Sequence, residues 1–352
     1  MTTFGYNRPL ISGRFFLAAA VLLSAYFFSL PCIGAAVGPS QRAVALDSLP
    51  PDRLPFLEPA PTFNKSRFYT AAGTGTVIYG GFAYALYQTW YADFPTTNLH
   101  SFDDSGEWMQ MDKAGHFFTT YMESRFLWAG ARWTGMSRPA ARWTAVGLAS
   151  ILQGTVEIMD GFSSQWGFSW SDLAANTAGA GLFAGQDILW GEQRILLKVS
   201  NNLAGHPDDI IITNNQGETG SLGYISRERY GQGTIERFLK DYNNMTVWAS
   251  VNVDAFAPDL KLPPYLNVAV GYGAQDVYGA YGNTWTESGR RFNYTQPRYR
   301  QFFLSPDIDF TRIPTRKRGV KLALGVLNFL KVPAPALEYN TLGEVKWHWL
   351  MW

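Results

Sequence analysis

The residues able to do chemistry fall into two stretches. MDKAGHFFTTYMESRF (111–126) carries Asp112, Lys113 and His116, and EIMDGFSSQWGFSWSDLAANTAGAG (157–181) carries Glu157, Asp160, Asp172 and Asn176. Asp112 and His116 are four apart, as are Asp172 and Asn176, so each pair shares one face if its segment is helical. One imidazole among carboxylates fits two kinds of chemistry. It can hold a divalent cation through nitrogen and oxygen ligands, or a carboxylate can orient the imidazole as an acid or base. The candidate catalytic residues are therefore His116, Asp112, Glu157 and Asp172, and the candidate metal ligands are the same four with Asp160. Lys113, Asn176, Asp160 and Trp166 are the candidate binding residues, with Lys113 placed to neutralise a carboxylate. The aromatics of GFSSQWGFSW can grip a glycan or lipid head group, or simply cap the helices. A structural use of the same groups stands beside these, because carboxylates at helix starts offset the helix dipole. No Walker loop, nucleophile motif or Cys/His zinc spacing names a reaction.

Positioning these groups requires three helices. The first runs from Met111 to about Ala131. A turn at TGMSRP (134–139) precedes a second at about 140–159, with Pro139 suited to its first turn and Asp160-Gly161 to its end. Ser169 or Ser171 caps a third, at about 170–190. With short loops, the start of the first, the end of the second and the start of the third meet at one pole. Ala174, Ala178, Gly181 and Gly185 form a small-residue stripe that lets a neighbouring backbone come close. An amphipathic continuation to about Val199 places Glu192, Arg194 and Lys198 on its polar side.

The order DKxxH, then Glu, then SxxDxxxNxxG resembles the YfiM-like family of uncharacterised predicted periplasmic lipoproteins. It is more loosely similar to VanZ-like membrane proteins. Asp112, Lys113, His116, Glu157, Asp172, Asn176 and Gly179 carry the likeness, which covers roughly residues 65–200. LPPYLNVAVGYGAQ (262–275), SPDIDF (305–310) and NFLKVPAPALEYN (328–340) look like longer envelope members of the YfiM-like family. The resemblance implies an envelope protein and brings no established activity. A lipid-anchored cysteine sits behind a Leu-small-small box, whereas Cys32 follows Ser-Leu-Pro.

Residues 1–36 look like an export signal or an uncleaved anchor: Arg8 and Arg14 precede the apolar FFLAAAVLLSAYFFSL, and Gly34-Ala35-Ala36 follows. Residues 37–67 read as a Pro-rich linker. Residues 68–91 carry no formal charge and are long enough to cross a bilayer or to form a buried helix. The acidic loop 92–111 and the basic loop 132–143 place the polar cluster outside by the positive-inside rule, while a cleaved leader places it inside. A set of helices that does not span, or one in an outer membrane, removes that conflict.

Lys and Arg total 29 against 28 Asp and Glu, a net charge of +1, so nothing favours nucleic acid. Charged residues make up 16%, with 13 Trp and 18 Tyr, a composition that fits contact with membrane lipid or envelope components. A mean hydropathy of −0.11 is too low for a chain made mostly of membrane helices. The stretch 201–220 reads as loop. Beyond it the period shifts towards two: Val247, Val251 and Val253 alternate, as do Leu266, Val268, Val270 and Tyr272, then Phe302, Leu304, Ile308 and Phe310. EVKWHWLMW reads as a last strand. Such aromatic alternation is a feature of outer-membrane strands, while VKLALGVLNFLK (320–331) reads as an amphipathic helix, lying on a membrane surface or packed inside.

The expected fold is mainly α: an up-down helical bundle at 68–200, with membrane embedding open, then a mixed α/β region at 221–352 with aromatic-rich strands. The expected protein is exported and membrane-associated, on the periplasmic side or in the outer membrane. Its polar cluster is structural or ligand-binding, with a divalent cation as the cofactor it could hold. The alternative is a metal- or His/carboxylate-dependent enzyme acting on a lipid or cell-wall precursor.

Overall fold

The computed structural model describes residues 58–352, apart from 93, 203, 204, 214, 218, 232, 288 and 289. The export signal, Cys32 and the linker up to residue 57 lie outside the described residues. Helix α1 (Lys65–Leu86) starts inside the stretch read as linker, where the Asn64 side chain accepts from the Arg67 amide. It runs on into a π turn at Tyr87–Tyr91. Among the described residues no helix is long and apolar enough to cross a membrane.

The three site-bearing helices are α2 (Met111–Trp133), α3 (Arg138–Gly161) and α4 (Trp170–Leu189). Pro139 lies in the first turn of α3. Ser169 caps α4 by accepting from the Asp172 amide at 3.0 Å. The helices pack on one another through α2. The close approach is at Gly179, where an added Cβ would lie 2.4 Å from the Phe117 carbonyl oxygen. The stripe of Ala174, Ala178 and Gly181 is exposed instead, and a Cβ on Gly181 or Gly185 would meet nothing within 4 Å. At the far pole Arg138 and Arg142 both bond the buried Asp187 carboxylate of α4. Those arginines of the basic loop are thus spent on an internal acid.

The expectation of a mainly α chain is corrected: the fold is mixed α/β. An antiparallel six-stranded sheet, in the order β1-β4-β5-β8-β9-β10, packs beside the helices. Its strands are β1 (Ile195–Asn201), β4 (Met245–Asn252), β5 (Leu266–Gln275), β8 (Tyr299–Ile308), β9 (Ala334–Asn340) and β10 (Val345–Met351). Two ribbons are separate: β2 (Ile211–Thr213) with β3 (Thr219–Ser221), and β6 (Thr284–Glu287) with β7 (Arg290–Asn293). The first ribbon lies in the stretch read as loop. The short helices α5 (Leu222–Tyr230), α6 (Thr234–Lys240) and α7 (Val253–Phe256) link them, and α8 (Arg318–Leu327) leads to β9.

The helical continuation to Val199 is also corrected. Residues 195–201 form β1, because Lys198 is not on a wet face. It is wholly buried and pairs with the equally buried Asp307 of β8 at 2.8 Å. A seven-residue stretch buried at nearly every position shows no polar period, so its one charged residue misleads. The sheet docks on the helices through Leu197 and Ala249, which pack with Tyr121 of α2 and Phe183 of α4.

The sheet curls. Lys198 of β1 reaches Asp307 of β8 although β4 and β5 lie between those strands. The segment Phe329–Lys331 hydrogen-bonds β1 on its other edge, with the Val199 amide donating to the Phe329 carbonyl and the Lys331 amide to the Val199 carbonyl, each at 2.9 Å. That segment runs directly into β9, so the two ends of the sheet approach each other.

Candidate functional site

The acidic loop ahead of α2 makes an unusual turn. Trp108, Met109 and Gln110 have φ of 49°, 53° and 63°, three consecutive non-glycine residues in the left-handed region. That conformation costs about 1 kcal/mol or more per residue and needs outside support. Support comes from the sheet side. The Trp108 amide donates to the Ala280 carbonyl at 2.7 Å, Tyr272 Oη donates to the Met109 carbonyl, and Arg300 donates to Gln110 Oε1. The turn brings Asp104 and Glu107 up to the start of α2.

Lys113 sits at the centre of the resulting cluster. Its Nζ lies 2.7 Å from Asp104 Oδ2, 3.0 Å from Asp112 Oδ2 and 2.7 Å from Asp172 Oδ1. The contact with Asp172 Oδ1 is a charge contact without hydrogen-bond alignment, and that oxygen is otherwise without a partner. Burial alone would lower the lysine pKa, but Asp112, Asp104 and Asp172 together hold it above its usual value. Asp104 is driven the opposite way. Burial raises it, and bonds from Lys113, Ser169 and Ser171 outweigh that and hold it far below the usual carboxylate range.

His116 lies beside Lys113 on the same end of α2. Its Nδ1 is 3.2 Å from Asn176 Oδ1 and 3.7 Å from Glu157 Oε1. Its Nε2 is 3.7 Å from Asp172 Oδ1 and 3.9 Å from Asp112 Oδ1. The two ring nitrogens thus face different partners. Asn176 Oδ1 can only accept, so Nδ1 carries a proton, and Thr120 Oγ1 donates to the same oxygen at 2.8 Å. Burial opposes the charged ring, but Asp112, Asp172 and Glu157 outweigh it and raise the His116 pKa. The acids pay for their own burial. It pushes Glu157 up to about 8, Asp160 to about 7 and Glu107 to about 7, each with neighbouring carboxylates adding to the rise. Asp172 is raised as well, by burial and then Asp112.

The sequence-predicted residues do not all converge equally. Asp112, Lys113, His116, Glu157, Asp172 and Asn176 come together. Asp160 turns to Tyr91, whose Oη donates to it at 2.7 Å. Trp166 packs edge-on against Tyr91 and Phe94, with ring centroids 5.6 and 5.1 Å away, so it belongs to that aromatic group. Trp170 points out to solvent, 68% exposed. Sequence reasoning missed Asp104, whose loop has no periodicity, and Tyr242, which comes from the distant β region and bonds Asp112. It also missed Glu123 of α2, bonded to Gln153 of α3 at 2.9 Å and raised by burial to about 8. Helical spacing offered a signal for Glu123, which lies seven residues beyond His116.

Atoms of Asp112, His116 and Asp172 lie within 4.8 Å of one another, close enough for one ion to touch all three. Glu157 Oε1 and Asp172 Oδ1 are buried without a hydrogen bond, and so is Asn176 Nδ2. Buried polar atoms are ordinarily satisfied, so orphans clustered at one pole ask for an explanation. Asp112 and His116 keep 24% and 18% of their side chains exposed, which leaves a way in from solvent.

Residues 101–184 match the family model of predicted periplasmic lipoproteins, DUF2279. The matched span of DUF2279 begins just before Asp104 and ends after Gly179, so it frames every residue of the cluster except Tyr242. It supports an exported, envelope-associated location. The match is to this broad family and carries neither the YfiM-like name nor the VanZ likeness. No curated protein and no solved structure matches the chain.

Proposed function

We propose that this envelope protein binds a divalent cation at the pole of its helical layer, through His116 Nε2, Asp112 and Asp172. The observation that carries the reading is the closeness of those three ligand atoms beside Glu157 Oε1, which is buried without a hydrogen bond. One imidazole with two carboxylates suits Mn²⁺ or Zn²⁺ better than an all-oxygen ion such as Ca²⁺. Asn176 and Thr120 act on the far side of the ring. By accepting from Nδ1, Asn176 presents Nε2 to the ion, the usual outer partner of a metal-ligating histidine. Lys113 acts as the internal counter-charge to Asp104, Asp112 and Asp172. Binding requires His116 to lose the Nε2 proton, so it strengthens as pH rises. The test is elemental analysis together with thermal shift on added Mn²⁺ or Zn²⁺. Wild type should carry or take up about one equivalent of metal and rise in melting temperature, and His116→Ala and Asp172→Asn should not. A metal-free wild type that gains no stability from either ion rejects the reading.

A second reading has its own support. His116 lies 3.7 to 3.9 Å from Asp112, Glu157 and Asp172, which favour its charged form, and one ring nitrogen faces Asn176, an arrangement that suits a general acid. The reaction would be metal-independent cleavage of a lipid or cell-wall precursor. Turnover of a lipid-linked precursor that persists in chelator and vanishes in His116→Gln would favour it over the cation site.

A further inference from the structure

The inner face of the six-stranded sheet carries an unusual share of polar groups. In an antiparallel sheet of a water-soluble protein, apolar side chains face in and polar ones face out. Here the inward positions carry Lys198, Ser250, Asn267, Ser305, Asp307, Glu338 and Asn340, all buried, around a small apolar cluster of Trp248, Ala269, Phe303 and Ala336. Their bonds close among themselves: Ser250 to Asp307 at 2.6 Å, Asn267 to Ser250 at 2.9 Å, Asn340 to Glu338 at 3.3 Å, and His348 with Glu338 at 2.6 Å. Trp248 fills the centre because Gly271 opposite it has no side chain, and a Cβ there would lie 2.7 Å from the indole.

The outward positions run in cross-strand rows. One row is Val247, Tyr272, Phe302, Tyr339 and Val345. The next is Leu197, Ala249, Val270, Leu304, Leu337 and Trp347. Helices α2 and α4 cover the second row at its Leu197 end. The turn ahead of α2 covers the first row at Tyr272, and beyond these covers the rows lie open: Val270 is 54% exposed, Leu304 51%, Trp347 52% and the neighbouring Trp349 80%. No charged residue interrupts these rows. The connection leaving β8 adds exposed Arg316 and Lys317 just ahead of α8, where Val320 and Leu327 are also exposed.

We propose that the outer face of β5, β8, β9 and β10, with the β8–α8 connection, rests on an anionic lipid surface. Three observations favour lipid over a second copy of the chain. The sheet places many polar groups inside and leaves two apolar rows free of charge on its exterior, the alternation of lipid-facing strands. The exposed Tyr339, Trp347 and Trp349 supply the amphipathic rings that settle at a bilayer's head-group level. Arg316 and Lys317 beside an apolar helix face complement negative head groups. The edge strand β10 would leave backbone groups unpaired in hydrocarbon, so the face lies on the membrane and does not pass through it.

The test uses the full chain with Cys32→Ser, the only cysteine removed, and an environment-sensitive dye on Leu337→Cys or, as a control, on the exposed Thr213→Cys of β2. Because the N-terminal apolar stretch can itself hold the protein on vesicles, the readout is local and not total binding. With phosphatidylglycerol-containing vesicles the dye at 337 should shift to the blue and be quenched several-fold by nitroxide lipids, and the dye at 213 should not. Pure phosphatidylcholine, or Arg316→Glu with Lys317→Glu, should weaken the response at 337. The proposal is overturned if the dye at 337 ignores vesicles that carry the protein. It is equally overturned if both lipid compositions act alike, or if the dye shifts with protein concentration in the absence of lipid, which would mark a second copy as the occupant.

Discussion

Tyr242 Oη donates a hydrogen bond to Asp112 Oδ1 at 3.1 Å, joining residues 130 positions apart. The bond links the β region to the first acid of α2, and the Tyr242 ring also packs on Trp108 of the strained turn, with centroids 5.6 Å apart. Tyr242 thus stands behind a proposed cation ligand. Tyr242→Phe should keep the fold, lower stability by about 1 kcal/mol, and weaken Mn²⁺ or Zn²⁺ binding roughly 10-fold at unchanged stoichiometry, as outer partners of ligands do. Titration calorimetry checks this, and unchanged affinity would remove Tyr242 from the site.

Lys113 gathers three carboxylates, so its loss should leave a local excess of buried negative charge. Lys113→Met should destabilise the protein by about 3 kcal/mol, the lower end for breaking a buried pair, since the site keeps some solvent access. Added Mn²⁺ should restore part of that loss, and Asp104→Asn in the same background should restore part without metal. Urea unfolding with and without the ion separates these outcomes. A variant as stable as wild type would show that the ion pairs contribute nothing.

Glycine positions on α4 should differ sharply. Gly179→Ala should cost about 2 kcal/mol or more, because its methyl would meet the Phe117 carbonyl of a packed helix. Gly181→Ala meets open space and should stabilise by up to about 1 kcal/mol through helix propensity. Unfolding midpoints of the two variants provide the comparison, and equal effects would contradict the packing.

Stability should fall as pH rises from about 5 to 8. Burial raises Glu123 and Glu157 to about 8 and Asp160 and Glu107 to about 7, above unfolded values near 4.5 and 3.8. Between those limits the native state holds protons that the unfolded chain has released, so unfolding becomes easier with each step up in pH. His116 acts in the same direction, because a raised base loses its contribution as pH climbs through its folded value. Each group contributes up to about 1.4 kcal/mol per pH unit inside its window. Urea midpoints at pH 5, 6.5 and 8 test the sign, and Glu123→Gln should flatten the profile. A midpoint that climbs over this range would refute the assignment of protons to buried acids.

Much of the helical layer was legible because its polar residues repeat every four positions at helix ends flanked by Pro, Gly and Ser. The expected spans 111–131, 140–159 and 170–190 differ from α2, α3 and α4 by no more than two residues at an end. Asp104 was invisible, since only the left-handed turn at Trp108–Gln110 delivers its loop to Lys113, and none of those residues is a glycine that would announce it. The sheet was half legible. Alternation marked β4, β5, β8 and β10, but the same alternation does not say which face is wet. Lys198 pointed to a polar helix face only because its partner, Asp307, lies far along the chain.

The short pairing of Phe329–Lys331 with β1 also sets a timetable. β1 follows directly from the helices, yet one of its edges stays bare until residues near 330 arrive, and a bare edge is a template for pairing with other chains. Contacts of such sequence separation form slowly. A chain cut short before residue 329 would therefore present an unguarded strand beside well-formed helices, and would be expected to accumulate as aggregates instead of as a smaller folded protein.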